Sequence, residues 1–359
     1  MAIDDVAIHT KFKLNGISYT KLGLMELVYD LLKEGSFFEK SIGTFLSEWL
    51  DEKPIIQVTT SGSTGKPKNI SLKKKHMANS ALATAKYFGL KEGSTALLCL
   101  PVDYIAGKMM LVRAMVLGLD LDYVEPSSKP LDEVNKYYGF AAMVPLQLEG
   151  SLAKIEMIKT LIVGGAALSK NLKAKIQQKN IVVFETFGMT ETVTHVAVKR
   201  VNKAPEGSSG CFEALPNVTF ATDERECLII SAPKVSDHRI VTNDIVKLIS
   251  ETEFDWLGRY DHIINSGGIK LFPEQIETKL APMLRNRFFV TGLPDAKLGQ
   301  KLVLVVEGEL DTDKLKQILS ECKGLQGFEI PKSVYTLPKF IETDTGKIRR
   351  KESCALLNY

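Results

Sequence analysis

Thr160-Leu-Ile-Val-Gly-Gly-Ala166 decides the fold, because a short aliphatic run stops abruptly at two glycines. A run of that length, closed by glycine, reads as a strand buried on both faces. Similar runs recur on either side: Ile55-Ile-Gln-Val-Thr-Thr60, Ala96-Leu-Leu-Cys-Leu100, Phe140-Ala-Ala-Met-Val144 and Ile181-Val-Val-Phe184. Helical patterns fall between them at residues 74–87, 106–117 and 170–178. Strands alternating with helices give a layered α/β domain with substantially parallel sheet. Residues 226–231 and 244–250 read as strands without an intervening helix, which implies a more antiparallel subregion. After Trp256-Leu-Gly258 the pattern changes: a helix over 273–280 opens on Pro273, strands fall at 288–291, 302–306 and 334–337, and a helix lies near 312–322. The expected division is a large N-terminal α/β domain, 1–258, and a smaller α+β domain, 259–359.

Composition restricts the classes of function. With 45% apolar and 25% charged residues over 359 positions, the chain is of ordinary globular make-up. Its net charge of +3 gives no basic stripe for nucleic acid. Met1-Ala-Ile-Asp-Asp-Val lacks the basic start and apolar stretch of a signal peptide, and no apolar run reaches the roughly 18 residues of a membrane span. Cys99, Cys211, Cys227, Cys322 and Cys354 are scattered, with no Cys-x-x-Cys pair, so reduced thiols in a cytoplasmic protein without zinc are expected.

The sharpest chemical signal is Thr60-Ser-Gly-Ser-Thr-Gly-Lys-Pro-Lys68, directly after a strand. Small residues bring backbone N–H groups close to an anion, hydroxyls add donors, and Lys66 and Lys68 supply charge. It is not the G-x-x-x-x-G-K-[ST] phosphate loop, since too few residues separate Gly62 and Gly65 and Pro67 follows the lysine. Taken alone, it also fits an ordinary surface turn. Four further motifs follow it: Val163-Gly-Gly-Ala166, Glu185-Thr-Phe-Gly-Met-Thr-Glu-Thr192, Thr242-Asn-Asp244 with Gly258-Arg-Tyr-Asp261, and Asn265-Ser-Gly-Gly-Ile-Lys-Leu-Phe-Pro-Glu-Gln-Ile-Glu277. Thr343-Asp-Thr-Gly-Lys-Ile-Arg349 closes the series.

From about Ile55 to its end, the chain resembles the adenylate-forming superfamily of acyl-CoA synthetases, luciferases and peptide-synthetase adenylation domains. The resemblance implies that Thr60, Ser61, Gly62, Ser63, Thr64, Gly65 and Lys66 hold pyrophosphate, and that Gly164, Gly165, Ala166, Glu185, Thr186, Phe187 and Gly188 enclose adenine and the activated carboxyl. Phe187 stands where relatives more often carry Tyr, so a ring remains to stack on adenine but its hydroxyl is gone. Thr190 would contact phosphate and Glu191 would hold Mg2+. Thr242-Asn-Asp244 departs from the family's Thr-Gly-Asp at Asn243, a residue that tolerates a left-handed turn. Asp244 would take the ribose hydroxyls, Arg259 a ribose or phosphate, and Asp261 would be the hinge of a mobile C-terminal domain. Ser266, Gly267 and Gly268 would line the coenzyme A tunnel, and Lys347 would be the catalytic lysine.

The implied reaction joins a carboxylic acid to coenzyme A with ATP, through an acyl-adenylate. The compact length and Leu100-Pro-Val-Asp-Tyr-Ile-Ala-Gly-Lys108 are similar to bacterial o-succinylbenzoate–CoA ligases of menaquinone biosynthesis. Such an acid carries a second carboxylate, for which Lys108 and Arg113 are candidates, with Tyr104 and His195 as further walls of an acyl pocket. Solvent-exposed helix charge is the competing, and slightly preferred, reading of Lys108 and Arg113; for His195 a satisfied core histidine competes equally. Another aryl- or fatty-acyl-CoA ligase, and a nucleotide-binding protein without catalysis, stay open as alternatives. The expected partners are small molecules, with room for a homo-oligomer. Lys347→Ala is expected to abolish acid-dependent pyrophosphate exchange while leaving thioester formation from supplied acyl-adenylate largely intact; equal loss of both half-reactions would remove Lys347 from that role.

Overall fold

The computed structural model describes residues 8–60, 68–309, 315, 319, 324–343 and 348–357. A hairpin of β1 (Lys13–Leu14) and β2 (Ile17–Ser18) leads into helices α1 (Lys21–Glu34) and α2 (Phe37–Leu50). Leu24, Val28 and Leu31 recur at helical spacing and bury one face of α1. Ser36 caps α2 reciprocally with Glu39, each side chain bonding the other's backbone N–H. Neither helix was anticipated above.

Strands β3 (Ile55–Thr60) and β4 (Lys68–Lys73) pair antiparallel with each other in a sheet of their own. This corrects the expectation of a doubly buried strand at 55–60: Ile56 and Val58 are buried, while Ile55, Gln57 and Thr59 face out. Next come α3 (Lys74–Phe88), β5 (Thr95–Leu98), α4 (Ile105–Leu117), β6 (Asp120–Tyr123), β7 (Tyr138–Met143), α5 (Pro145–Gly150), β8 (Ile158–Val163), α6 (Lys170–Gln177) and β9 (Val182–Gly188). The strands β6-β5-β7-β8-β9 are parallel neighbours, as the alternation requires. Strands β10 (His195–Arg200), β11 (Phe212–Ala214), β12 (Thr219–Thr222), β13 (Cys227–Ser231), β14 (Ile240–Ser250) and β15 (Glu253–Arg259) continue the sheet antiparallel, in the order β12-β13-β14-β15-β11-β10-β9.

A second sheet of five strands holds β16 (Ile264–Ser266), β17 (Ile269–Leu271), β18 (Phe288–Asp295), β19 (Gly299–Glu307) and β20 (Ser333–Leu337), with α7 (Pro273–Leu280) and α8 (Arg350–Cys354). The two larger hydrophobic clusters draw on residues from Phe12 to Phe254, the two smaller ones on residues from Ile264 to Leu357. Most of the helix expected near 312–322 lies outside the described residues, though Leu315 and Leu319 are buried. Among the described residues no helix is long and apolar enough to cross a membrane, and the described thiols Cys99, Cys211, Cys227 and Cys354 are unbridged.

Helix α4 is enclosed all round from Gly107 to Met115. It runs beneath the parallel strands, so Lys108 and Arg113 on it are buried, at 9% and 1% exposure, rather than solvated. The solvent-exposed reading of these two residues fails because the helix is hydrophobic on every side. Phe140, at the centre of the parallel sheet and fully buried against Phe88, anchors this packing. Phe140→Ala is expected to cost about 3–5 kcal/mol in urea unfolding; a loss below about 1 kcal/mol would contradict the packing described.

Candidate functional site

The parallel strands end at one edge of the large sheet, and a cavity of about 280 Å³ lies there. Met143 at the end of β7 and Val144 after it, Gly164 and Gly165 after β8, and Thr186 and Gly188 of β9 form its floor. Ile105, Ala106 and Arg113 of α4 and the segment from Met189 to His195 close it, Glu191 and Thr192 excepted. Carboxyl ends of parallel strands are where open α/β sheets receive ligands.

The segment from Gly188 to His195 is held rigidly. Thr190–Thr192 is one turn of 3₁₀ helix. Val193 then takes φ 65 and ψ −59, and the Thr194 N–H reaches the Thr192 carbonyl at 2.7 Å, which makes a γ-turn. Positive φ at a fully buried β-branched residue is strained backbone, and such strain persists only where the surroundings enforce it. The Thr192 hydroxyl accepts from the Met189 N–H at 3.0 Å and lies 2.7 Å from the Thr194 carbonyl. Gly188 leaves no room: a Cβ there would sit 2.3 Å from the Thr194 oxygen and 2.6 Å from the His195 Cα. His195 is thereby fixed in the cavity wall.

Arg113 and His195 meet in that wall. The guanidinium approaches the Thr84 hydroxyl at 3.4 Å, the Met110 sulfur at 3.6 Å and His195 Nδ1 at 3.4 Å. It has no carboxylate partner among the described residues. A guanidinium only donates, so Nδ1 accepts and the imidazole proton sits on Nε2, which is buried without a partner among the described residues. Burial pushes Arg113 down to about 9, leaving it charged at neutral pH. Burial first, and Arg113 second, hold His195 well below its ordinary range, so the imidazole is neutral. His195 is therefore neither solvated nor a satisfied core residue. Tyr104 and Lys108 lie outside this cavity lining, contrary to expectation: Tyr104 is exposed just before α4, and the Lys108 ammonium faces Glu48 at 3.9 Å and the Phe45 ring at 4.8 Å.

A second cluster forms where β14 pairs with β15 and sets Asp244 opposite Arg259. Trp256 Nε1 donates to Asp244 Oδ1 at 3.0 Å, while Arg259 lies 3.5 Å from Asp244 Oδ2 and 3.2 Å from Asp261. Burial pushes the Asp244 carboxyl up, opposed by Trp256 and Arg259. Trp256 is the member that the motifs did not mark, because its place depends on the β14–β15 register. The left-handed turn expected at Asn243 is absent: the residue lies inside β14 and does not have positive φ, which is why Asn serves as well as Gly.

Other expected residues fall as follows. The Glu185 carboxylate is committed to the Leu168 N–H at 2.8 Å and Lys173 at 2.7 Å, so it braces the turn after β8. Phe187 packs edge-on against Phe254 and Phe212, at 5.1 and 5.9 Å between ring centres. Thr190 lines the cavity; Glu191 beside it and Ala166 are exposed. Ser266, Gly267 and Gly268 make the β16–β17 hairpin, whose two-residue turn needs glycine at φ 58 and 82. Thr60 ends β3, while Ser61, Gly62, Ser63, Thr64, Gly65, Lys66 and Lys347 lie outside the described residues. No group of three or more potential metal ligands occurs among the described residues. Glu191, a lone exposed carboxylate beside the cavity, suits an ion held by one carboxylate and substrate phosphates, the usual manner for Mg2+.

Comparison with known proteins settles the lineage. The family model for AMP-binding enzymes matches residues 47–222. A crystal structure from Dyadobacter fermentans DSM 18053, an acyl-CoA synthetase (AMP-forming)/AMP-acid ligase II-like protein, is 36% identical over 93% of this chain and 98% of its own, with a TM-score of 0.61. The chain belongs to the AMP-forming acyl-CoA synthetases. A 2-succinylbenzoate–CoA ligase of Listeria monocytogenes is 27% identical over 90% of this synthetase and 74% of its own length. The o-succinylbenzoate coenzyme A synthetase of Bacillus subtilis, solved with ATP and magnesium, shares the fold at a TM-score of 0.72 and 21% identity, over 95% of this chain and 83% of that one.

The neutral state of His195 has a consequence for stability. Its folded pKa is depressed, so on acidification the unfolded chain takes up this proton first. The contribution is complete above about pH 6.5 and falls below it by up to about 1.4 kcal/mol per unit. His195→Gln is expected to flatten that part of the stability–pH curve in urea titrations; an unchanged slope would contradict it.

Proposed function

We propose that this AMP-forming synthetase is an acid–CoA ligase whose substrate carries a second carboxylate, with o-succinylbenzoate as the acid. One observation carries the choice: Arg113 is a fully buried cation in the cavity wall with only neutral partners among the described residues. Leaving a charge so buried and unpaired costs several kcal/mol, and an anionic ligand group offsets that cost. The Nε2–H of His195, also without a partner there, offers a second donor in the same wall. Curated relatives that act on 2-succinylbenzoate support the same choice.

The reaction proceeds in two displacements. A carboxylate oxygen of the acid attacks the α-phosphorus of ATP; the new bond makes the acyl-adenylate, and pyrophosphate leaves. The coenzyme A thiol, losing its proton, then attacks the acyl carbon, and AMP leaves with the bonding pair. Mg2+, when bound, neutralises phosphate charge. In this reading Thr190 orients the phosphate, Glu191 holds the ion, Asp244 fixed by Trp256 and Arg259 binds the ribose, and Lys347 offsets charge as the anhydride forms. The loop from Thr60 to Lys66 holds pyrophosphate, and Gly164, Gly165, Thr186 and Gly188 let the acid and nucleotide approach backbone. Asp261, between the two sets of hydrophobic clusters, is the pivot on which the smaller unit brings Ser266, Gly267 and Gly268 to the thiol. The cytoplasm, where ATP and coenzyme A are available, is the place of action.

Thioester formation from o-succinylbenzoate is expected to exceed that from benzoate and from fatty acids. Arg113→Gln is expected to lower kcat/KM for o-succinylbenzoate about 10- to 100-fold, the worth of a charged hydrogen bond, with a much smaller change for benzoate. Equal turnover of o-succinylbenzoate and benzoate by the unaltered enzyme would remove the dicarboxylate assignment.

A further inference from the structure

A compact group of charges at the junction of the two units takes no part in the reaction just described. Glu274, in the first turn of α7, places Oε1 2.5 Å from His262 Nδ1 and 3.8 Å from Arg350 Nη2. Its other oxygen, Oε2, is buried with no partner among the described residues. That oxygen lies against Gly258 of β15, where a Cβ would come within 2.5 Å of it. Gly258 has φ 151 and belongs to the large sheet, whereas Glu274 belongs to the smaller unit, so this contact spans the junction. Burial works against the charge of Glu274, but His262 and Arg350 hold its carboxyl below the usual range. Its negative charge also reaches across to Asp244.

Arg350 is the other end of the group. Its guanidinium donates to Glu277 Oε2 at 2.8 Å and to the Val290 carbonyl at 3.3 Å, which ties it to the core of the smaller unit. Burial pushes Glu277 up to about 7, against the pull of Arg350. In the sequence, Arg350 stands three residues after Lys347. One buried carboxylate therefore touches the last strand of the large sheet, the 3₁₀ turn Tyr260–His262 that contains Asp261, and the arginine that follows the lysine segment.

An oxygen left unsatisfied at a contact between two units is poorly suited to a fixed joint. It fits a joint whose partner changes. We propose that Glu274 is a positioning residue that couples the orientation of the smaller unit to Arg350, so that rotation at the junction and presentation of the Lys347 segment occur together. The proposal deepens the acid-activating reading and rests on it. When the smaller unit turns about Asp261, Glu274 leaves Gly258, its hold on His262 and Arg350 changes, and Arg350 shifts with it. The exposed Lys270–Glu226 pair at 3.3 Å also crosses the junction, but its solvated charges hold weakly.

The test uses the full-length enzyme with Glu274→Gln, which keeps the shape and removes the charge, and Arg350→Lys, which keeps the charge and loses the fork. The two half-reactions are measured separately, as acid-dependent pyrophosphate exchange and as thioester formation from supplied acyl-adenylate. Glu274→Gln is expected to change the ratio of the two rates at least tenfold, with Arg350→Lys altering it in the same direction. A residue that only supports the fold would lower both rates by one factor, and that result overturns the proposal, as does an unchanged ratio in both variants. A second readout needs no turnover: tryptic cleavage after Arg259 and Lys270 is expected to be at least fivefold faster in Glu274→Gln, and equal cleavage rates count against the coupling. If the unaltered enzyme activates no acid, the functional reading fails, and the cleavage comparison still decides whether Glu274 holds the junction.

Discussion

A guanidinium inside a helix that is enclosed on every side must be satisfied from within the protein or by what the protein binds. Arg113 is placed that way because α4 runs beneath the parallel strands and turns every face to neighbours. The strands above it stop at Val144, Gly164 and Gly188, and the cavity begins there. His195 can lie beside Arg113 only because Val193 accepts a strained turn and Gly188 lacks a Cβ. Sheet, helix and γ-turn thus converge on one polar wall of the pocket. The strain at Val193 and the buried charge both lower stability, and both lie where ligand contact would offset them.

Much of this was legible in the sequence, because its periodicities and glycine positions are local. The parallel strands, helices α3, α4, α6 and α7, and the change of pattern after Gly258 follow from short apolar runs and their punctuation. What escaped depends on contacts distant in the chain. The apolar residues Met109–Val112 and Ala114–Leu117 fill every face of α4 and are the local sign that it is covered all round, but two cations within the helix masked that sign and read as solvated. Trp256 joins Asp244 through strand register, and Glu185 braces Lys173 across a turn; neither spacing is local. The antiparallel hairpin of β3 and β4 mimics a buried parallel strand, since Ile55 and Ile56 stand together in the sequence but face opposite ways.

In the proposed function the two units divide the chemistry between them. The large one contributes strand ends, backbone N–H groups and a buried cation, which are fixed features suited to binding. The smaller one carries the glycine hairpin at Gly267 and Gly268, and its stretch of sequence includes Lys347. Attack by the carboxylate on phosphorus and attack by the thiol on its carbon need different groups at the same place, and in that function a unit that rotates supplies both without enlarging the cavity. Asp244, Arg259 and Asp261 sit where that rotation would begin.

Exchange of labelled pyrophosphate into ATP, followed in the absence of coenzyme A, bears most directly on the claim that this cavity converts a carboxylate into a mixed anhydride with AMP. Label should enter ATP only when both Mg2+ and o-succinylbenzoate are present. No incorporation with any carboxylic acid, or incorporation that needs no acid at all, would contradict it.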